Sequence, residues 1–559
     1  MAVVRTDPHV DRLDAGLRAL AESRWTDARR SFEAVLRDGE MPEALEGLSW
    51  SGWWLDDAPL VFDSRERAYR LYRHRRRARD AARMAIWLAI DHLDFNGSLA
   101  VANGWLRRAA RLLDGVETGP EHGWLAFQEG YLAHLAGDSA TARARAVEAA
   151  DIGRRFRVAD LEMLGLALEG SVLVSIANVI DGMRCLDEAT AAALEGEASV
   201  PISSAWAFCF LVSSCLEVRD YQRAFEWSDR IAEFAERHRS RYMLGFCRSH
   251  YGAVHLSRGR WTEAEAEILA AIDAYQRSRP AMAGDALAWL AELRRRQGRF
   301  SDAAEVLERT GDSLGAQLCR ARLALDNGDP RRAVELAERC LRQARDGSVQ
   351  TAPALELLAR ARAMRGELGD AATAASALGG IAERVATPPM RASALLAAGL
   401  VATAEGEHDR ARTSLEDAVT AFAESGALFE ALTSRLDLAV TLEAGGRHES
   451  AVAEAERALH GLETLGAHHE STRARQLFER LRRARIDAPT IGSVTRRERE
   501  VLLLVARGWT NRQIATHLVV SEHTVHRHVT NLLRKLDVPS RAAAAALAAR
   551  VGLLGSEAR

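Results

Sequence analysis

The segment SEHTVHRHVTNLLRKL, residues 521–536, gathers three histidines, an isolated arginine and an Arg-Lys pair among valines and leucines. Residues of these types support metal ligation, proton transfer or hydrogen bonding to nucleic acid. A helical projection at about 100° per residue separates these chemistries. Val525, Val529, Leu532, Leu533 and Leu536 fall within a sector about 100° wide, which must face a core. His523, Arg527, Thr530 and Arg534 lie on the opposite side, with His526 at the margin. His523 and His526 could supply two metal ligands, but His528 points roughly 140° away from His523. No cysteine or carboxylate shares their face, so no metal is expected. A polar, basic face rich in donors suits base edges and phosphates in a major groove.

Little else in the chain invites chemistry. Lys535 is the only lysine among 559 residues. A Walker A loop needs a lysine to reach nucleotide phosphates, and Lys535 has no glycine-rich loop before it, which excludes a P-loop NTPase. A phosphoryl-accepting receiver or a Schiff-base enzyme is disfavoured on the same ground. The sequence has no HExxH, CxxC pair or GxSxG elbow. Catalytic residues and cofactors are therefore not expected, and the chain does not read as an enzyme. Cys185, Cys209, Cys215, Cys247, Cys319 and Cys340 sit in apolar helical patterns, as reduced thiols of an intracellular protein would. The opening residues, MAVVRTDPHVDRLDAG, lack the apolar core expected of a signal peptide, and the longest apolar run, 205–212, is too short to span a bilayer. A soluble, cytoplasmic protein is expected, with no membrane partner.

The elements that position residues 521–536 are marked by caps. Thr495 with Glu498, and Thr510 with Gln513, are capping boxes; Gly508 ends the first helix and Leu518 the second. Ser521 caps a third helix running to about Leu536, and Pro539-Ser540 opens a fourth. The second and third, joined by a tight Val-Val connection, make a helix-turn-helix. Charge agrees: residues 491–559 carry eleven basic and five acidic side chains, a net +6 in a chain of net −3.

The stretches TRREREVLLLVARG, TNRQIATHL, SEHTVHRHV and LLRKLDVPSR resemble the LuxR-type (NarL/FixJ-like) helix-turn-helix family over about 60 residues. The resemblance implies that the third helix enters the major groove, with base contacts from His526, Arg527 and Thr530. It implies phosphate contacts around Asn511, Arg512, Ser521, Thr524, His528 and Lys535, to which the helical projection adds His523 and Arg534. It also implies dimerisation through the fourth helix, SRAAAAALAARVGLL, which places two recognition helices about one DNA turn apart. The family often has Lys or Arg where this chain has His526. A mostly neutral imidazole reaches less far and attracts phosphate less, so the affinity of the isolated module for DNA should rise below pH ~6.5. Titrating that affinity between pH 6 and 8 checks this; a flat profile contradicts it.

From the N-terminus to about residue 465 a second pattern recurs. A Gly/Asp turn precedes a small residue, a larger residue one turn later and another small or aliphatic residue. Copies include Ala28/Phe32/Val35, Ala142/Ala146/Ala149, Ala264/Ile268/Ala271, Ala333/Ala337/Cys340, Ala411/Leu415/Ala418 and Ala451/Ala455/Ala458. Weaker copies centre on Ala68, Gly104 and Gly182. Most anchors recur at roughly 36–42 residues, the range of helical repeats. The small residue lets antiparallel helices approach, and neighbouring units must stack to bury their faces. The units resemble tetratricopeptide repeats, about twelve in series. The fold class is all-α: a tetratricopeptide-like α-solenoid over 1–483, a linker at 484–493 and a four-helix LuxR-type domain over 494–556.

Such an array is expected to offer a concave surface to a small-molecule or protein effector. Trp53, Trp54, Trp87, Trp105 and Trp124 could line an effector pocket, although packing between helices is the simpler reading. RLYRHRRRARDAAR, 70–83, reads as a solvated face or a docking ridge before it reads as a second nucleic-acid patch. The whole implies a transcription regulator whose partners are double-stranded DNA, an effector on the repeats, RNA polymerase and a second copy. The rival reading is an interaction scaffold without specific DNA binding, which would not need Arg512, Arg527, Arg534 and Lys535 around one face.

Overall fold

A computed structural model describes residues 8–196, 198–238, 241–344, 348–487, 494–536 and 538–550. It divides into two compact units, Met1–Arg475 and Gln476–Arg559. Among the described residues all regular structure is helical.

The first unit is twelve antiparallel helix pairs. The first six are α1 (Pro8–Ala21) with α2 (Trp25–Leu36), α3 (Pro42–Trp54) with α4 (Ala58–His74), α5 (Ala78–Asn96) with α6 (Leu99–Leu113), α7 (Pro120–Leu135) with α8 (Ser139–Phe156), α9 (Ala159–Ser175) with α10 (Val179–Glu195), and α11 (Pro201–Glu217) with α12 (Tyr221–His238). Next come α13 (Arg241–Ser257) with α14 (Trp261–Ser278), α15 (Ala283–Arg296) with α16 (Phe300–Glu308), and α17 (Leu314–Asp326) with α18 (Pro330–Gln343). The last three are α19 (Ala352–Met364) with α20 (Leu368–Val385), α21 (Pro388–Glu405) with α22 (His408–Glu424), and α23 (Leu428–Ala444) with α24 (His448–Leu465). Helix α25 (His468–Asp487) follows, so helix continues four residues into the segment read as a linker. Residues 488–493 and 551–556 of the boundaries read from the sequence lie outside the described residues.

The small-residue pattern does what close packing demands. Ala28, Ala142, Ala264, Ala333, Ala411 and Ala451 are all fully buried. At Gly170 and Gly182 the crossing of α9 and α10 is so close that a Cβ on either would lie 2.7 Å from the other's carbonyl oxygen. Gly104 is the exception: it is exposed with nothing near it, and Ala102, Leu106 and Ala109 turn inward from α6 instead. Its assignment as an anchor confuses a small residue with a small residue in the right register.

The two helices of a pair differ in kind. The even-numbered helices bury one stripe; α3, α5, α7, α9 and α11 are buried on nearly every side, as helices enclosed by neighbours must be. The enclosure comes from contacts across the coil. Arg279 Nη1 donates to Asp56 Oδ1 at 2.9 Å and Nη2 to the Trp53 carbonyl at 3.2 Å, joining residues 223 apart. Arg219 reaches Glu356 at 3.1 Å and also Ser393, and Arg296 reaches Glu430 at 2.7 Å. The array is thus wound tightly enough for one turn to rest on another, a departure from repeat stacks in which each unit meets only its neighbours.

Within the first turn Trp50 packs on Trp87 (centroids 4.7 Å apart) and Trp87 on Trp124 (5.4 Å), one residue per repeat. Trp53, Trp54 and Trp87 are buried; Trp105 and Trp124 are half-buried. These rings pack helices together. Beside them Arg65 pairs with Asp91 at 2.7 Å, both side chains fully buried, with the guanidinium 4.5 Å from the Trp50 centroid. Asp94 is buried nearby and its Oδ2 has no hydrogen-bond partner. Burial, only partly offset by Arg279 and reinforced by Asp91, pushes the Asp94 carboxyl up to about 7. A carboxyl raised in the folded state contributes stability below its unfolded value and loses it as pH rises through the folded one. Asp94→Asn should therefore raise the urea midpoint at pH 8 and flatten its fall between pH 4 and 7. An unchanged pH profile would count against this.

Candidate nucleic-acid interface

The second unit's helices follow from local rules. Thr495 caps α26 (Arg496–Ala506) through a reciprocal box with Glu498, and Thr510 caps α27 (Asn511–Leu518) through one with Gln513. Ser521 Oγ accepts from the Thr524 amide at 3.1 Å at the start of α28 (Glu522–Lys535). Ser540 Oγ accepts from the Ala543 amide before α29 (Arg541–Arg550) turns inward. Val501, Leu502, Ile514, Val525, Leu532, Leu536, Leu547 and Ala548 form the core, with Val529 and Leu533 packed against it. That core fixes the rotation of α28.

His523, His526, Arg527, Thr530 and Arg534 are exposed, and His528 is half-buried. Arg527, Arg534 and Arg512 of α27 make no ion pair among the described residues, so their guanidiniums are free to meet an anion. Thr530 Oγ1 donates to the His526 carbonyl at 3.0 Å, leaving its lone pairs outward. Ser521 and Thr524 hydroxyls lie 2.7 Å apart at the helix N-terminus, beside free backbone donors. His523, His526, Arg527, Thr530 and Arg534 thus share the outward side of α28, opposite Val525 and Leu532, while His528 lies about 140° round the helix from His523. Among the described residues no three His, Cys, Asp or Glu side chains converge as metal ligands.

Two expected phosphate contacts are engaged inside the domain. Lys535 Nζ donates to Glu498 Oε2 at 2.7 Å, tying the end of α28 to the capping box of α26. Burial pushes the Glu498 carboxyl up, but hydrogen bonds from Lys535 and Thr495 prevail and hold it down at about 2. The ammonium keeps two further N–H donors, and its side chain is 29% exposed. Asn511 Oδ1 accepts from Arg541 Nη1 at 2.6 Å, which leaves the amide NH2 as its outward donor. Arg541 also donates to the Trp509 carbonyl, so it clamps the start of α27. Sequence reasoning missed Arg541; its one signal is a lone arginine opening an alanine-rich helix.

The turn between α27 and α28 is strained. Val519, a β-branched residue, sits at φ +54° with 89% of its surface exposed. A left-handed conformation costs such a residue about 1–2 kcal/mol. Val519→Gly should stabilise the unit by about 1 kcal/mol in thermal or urea unfolding; a loss of stability would show that the valine makes a contact that outweighs its strain.

Residues 492–548 match the family model for bacterial regulatory proteins, luxR family. They form a LuxR-family helix-turn-helix domain. The tetratricopeptide repeat model matches at 13–58, 252–313, 319–381 and 367–427. The transcriptional regulatory protein LiaR of Bacillus subtilis is 43% identical over 81 residues, 14% of this chain and 38% of that protein. A nitrate/nitrite response regulator protein homolog of Haemophilus influenzae is 51% identical over 67 residues, 12% of this chain and 32% of its own. The chain thus spans less than two fifths of either relative. Among solved structures, a Rap protein in complex with competence and sporulation factor is similar at a TM-score of 0.46 and 14% identity, over 68% of this chain and 99% of that one.

Proposed function

We propose that the chain is a sequence-specific transcription regulator that acts in the cytoplasm as a homodimer. α28 lies in the major groove, where His526, Arg527 and Thr530 read base edges. Asn511, Arg512, Ser521, His523, Thr524, His528, Arg534 and Lys535 hold the flanking phosphates, Lys535 through the N–H donors not given to Glu498. The observation that carries this reading is the rotation of α28: Val525 and Leu532 are buried while the arginines and histidines opposite them are exposed and unpaired. Dimerisation through α29 gives two half-sites about one turn apart. The repeat array takes an effector or protein partner that sets the activity of the LuxR domain, and RNA polymerase is the partner through which bound regulator acts at a promoter.

The test is binding of the full chain, and of a fragment from residue 488, to a pool of genomic DNA fragments at several salt concentrations. Enrichment of a two-fold-symmetric site with salt-sensitive affinity supports the reading. Binding by the fragment alone would mean that the array masks the domain. Failure of both, even at low salt, would overturn DNA recognition and leave an interaction scaffold.

A further inference from the structure

The array carries its own concentration of positive charge. Residues 65–111 hold twelve arginines and four acidic residues, a net +8; outside this segment and the basic C-terminus, the remaining chain sums to −17. Asp91 and Asp94 are buried in the core, as is Arg65, so eleven arginines and two acids remain outside it.

The fold gathers the exposed arginines on two adjoining helices. Tyr69 of α4 and Trp105 of α6 meet edge to face with centroids 5.2 Å apart. The Arg73 guanidinium lies over Tyr69 at 5.6 Å, and that of Arg108 over Trp105 at 4.8 Å. Arg107 and Arg111 stand one helical turn apart on α6, about 6 Å along its axis. Arg73, Arg107, Arg108 and Arg111 are all exposed and make no ion pair among the described residues. They contrast with Arg67 and Arg83, which are occupied by Glu40, Asp63, Glu46 and Asp80. Guanidiniums steadied on aromatic rings keep their N–H forks outward, the arrangement that takes phosphate oxygens in pairs. Between Arg107 and Arg111 α6 carries only arginine and alanine; its exposed large apolar residues, Leu99 and Val101, lie about two turns nearer its start.

We propose that this arginine face of α4 and α6 is a second nucleic-acid contact, gripping the phosphate backbone of duplex DNA without reading its sequence. It rests on the regulator reading only in taking DNA as the ligand.

The experiment uses the full chain and a mixed-sequence duplex of about 40 base pairs that lacks any enriched site. Affinity is followed against salt for wild type, for Arg527→Ala, and for a variant combining Arg73→Gln, Arg107→Gln, Arg108→Gln and Arg111→Gln. Each phosphate that the protein no longer neutralises reduces the slope of log affinity against log salt by about 0.9, so the quadruple variant should have a slope shallower by about 3.6. Arg527→Ala should keep most of it, which separates this patch from the LuxR domain. A quadruple variant with the wild-type slope overturns the proposal. So does a patch that binds polyglutamate in wild type but leaves the DNA slope untouched, which would assign it to an acidic protein. Absence of an enriched site in the genomic pool, with the slope difference intact, would sink the sequence-specific reading and leave this one standing.

Discussion

Arg279→Ala should cost the repeat array about 3–5 kcal/mol, the loss incurred when one member of a buried ion pair is removed. The side chain is fully buried and Asp56 is only 7% exposed. The guanidinium lies over Phe95 at 3.7 Å and Trp53 at 4.7 Å, so truncation removes charge, stacking and packing together. Asp56, already pushed up by burial and relieved chiefly by Arg279, is left with only its 3.9 Å contact to the exposed Arg241. Urea unfolding followed by tryptophan fluorescence reads the effect directly, because Trp53 reports on the site. Asp56→Asn in the Arg279→Ala background should recover part of the loss by removing the stranded charge. Arg241→Ala, at a partner of Asp56 that is 60% exposed, should cost under about 0.5 kcal/mol. An Arg279→Ala midpoint indistinguishable from wild type would show that the turns of the coil do not support each other.

Arg527→Ala should weaken binding to an enriched DNA site by about 1–3 kcal/mol, roughly 5- to 150-fold, and flatten base preference at one position in each half-site. The side chain is exposed and unpaired, so fold and stability should stay within about 0.5 kcal/mol of wild type. Arg534→Ala should instead lower affinity for all sequences alike and reduce the salt slope by about one, as removal of a phosphate-binding cation does. If both variants behave alike, Arg527 contacts phosphate and the groove assignment of α28 fails.

What could be read from the sequence was whatever is decided within a few residues or by a repeating period. The boxes at Thr495 and Thr510 and the cap at Ser521 are three-residue relationships, and they appear where residue types place them. The buried face of α28 follows from helical periodicity alone. The twelve helix pairs follow from alanines at fixed offsets, because a small residue is the only way to bring two helices close. Contacts with no period were invisible. Arg279 looks like any other of the chain's arginines until the coil carries it 223 residues back to Asp56. Lys535 reads as a free cation because Glu498 stands 37 residues away in a motif that already explains itself as a cap. For the tryptophans of the first repeats packing is the simpler reading of the sequence, but the sequence cannot show which rings meet; Trp50 on Trp87 and Trp87 on Trp124 appear only in the fold.

The contacts of Arg279, Arg219 and Arg296 between turns give the array the mechanics of a close-wound spring rather than an open one. An open spring stretches in proportion to any load. A close-wound one stays rigid until the load exceeds what holds its turns together, and then yields abruptly because each broken clasp transfers its share to the next. A change of pitch therefore has to break the Arg279–Asp56, Arg219–Glu356 and Arg296–Glu430 contacts together, one buried ion pair and two partly buried ones.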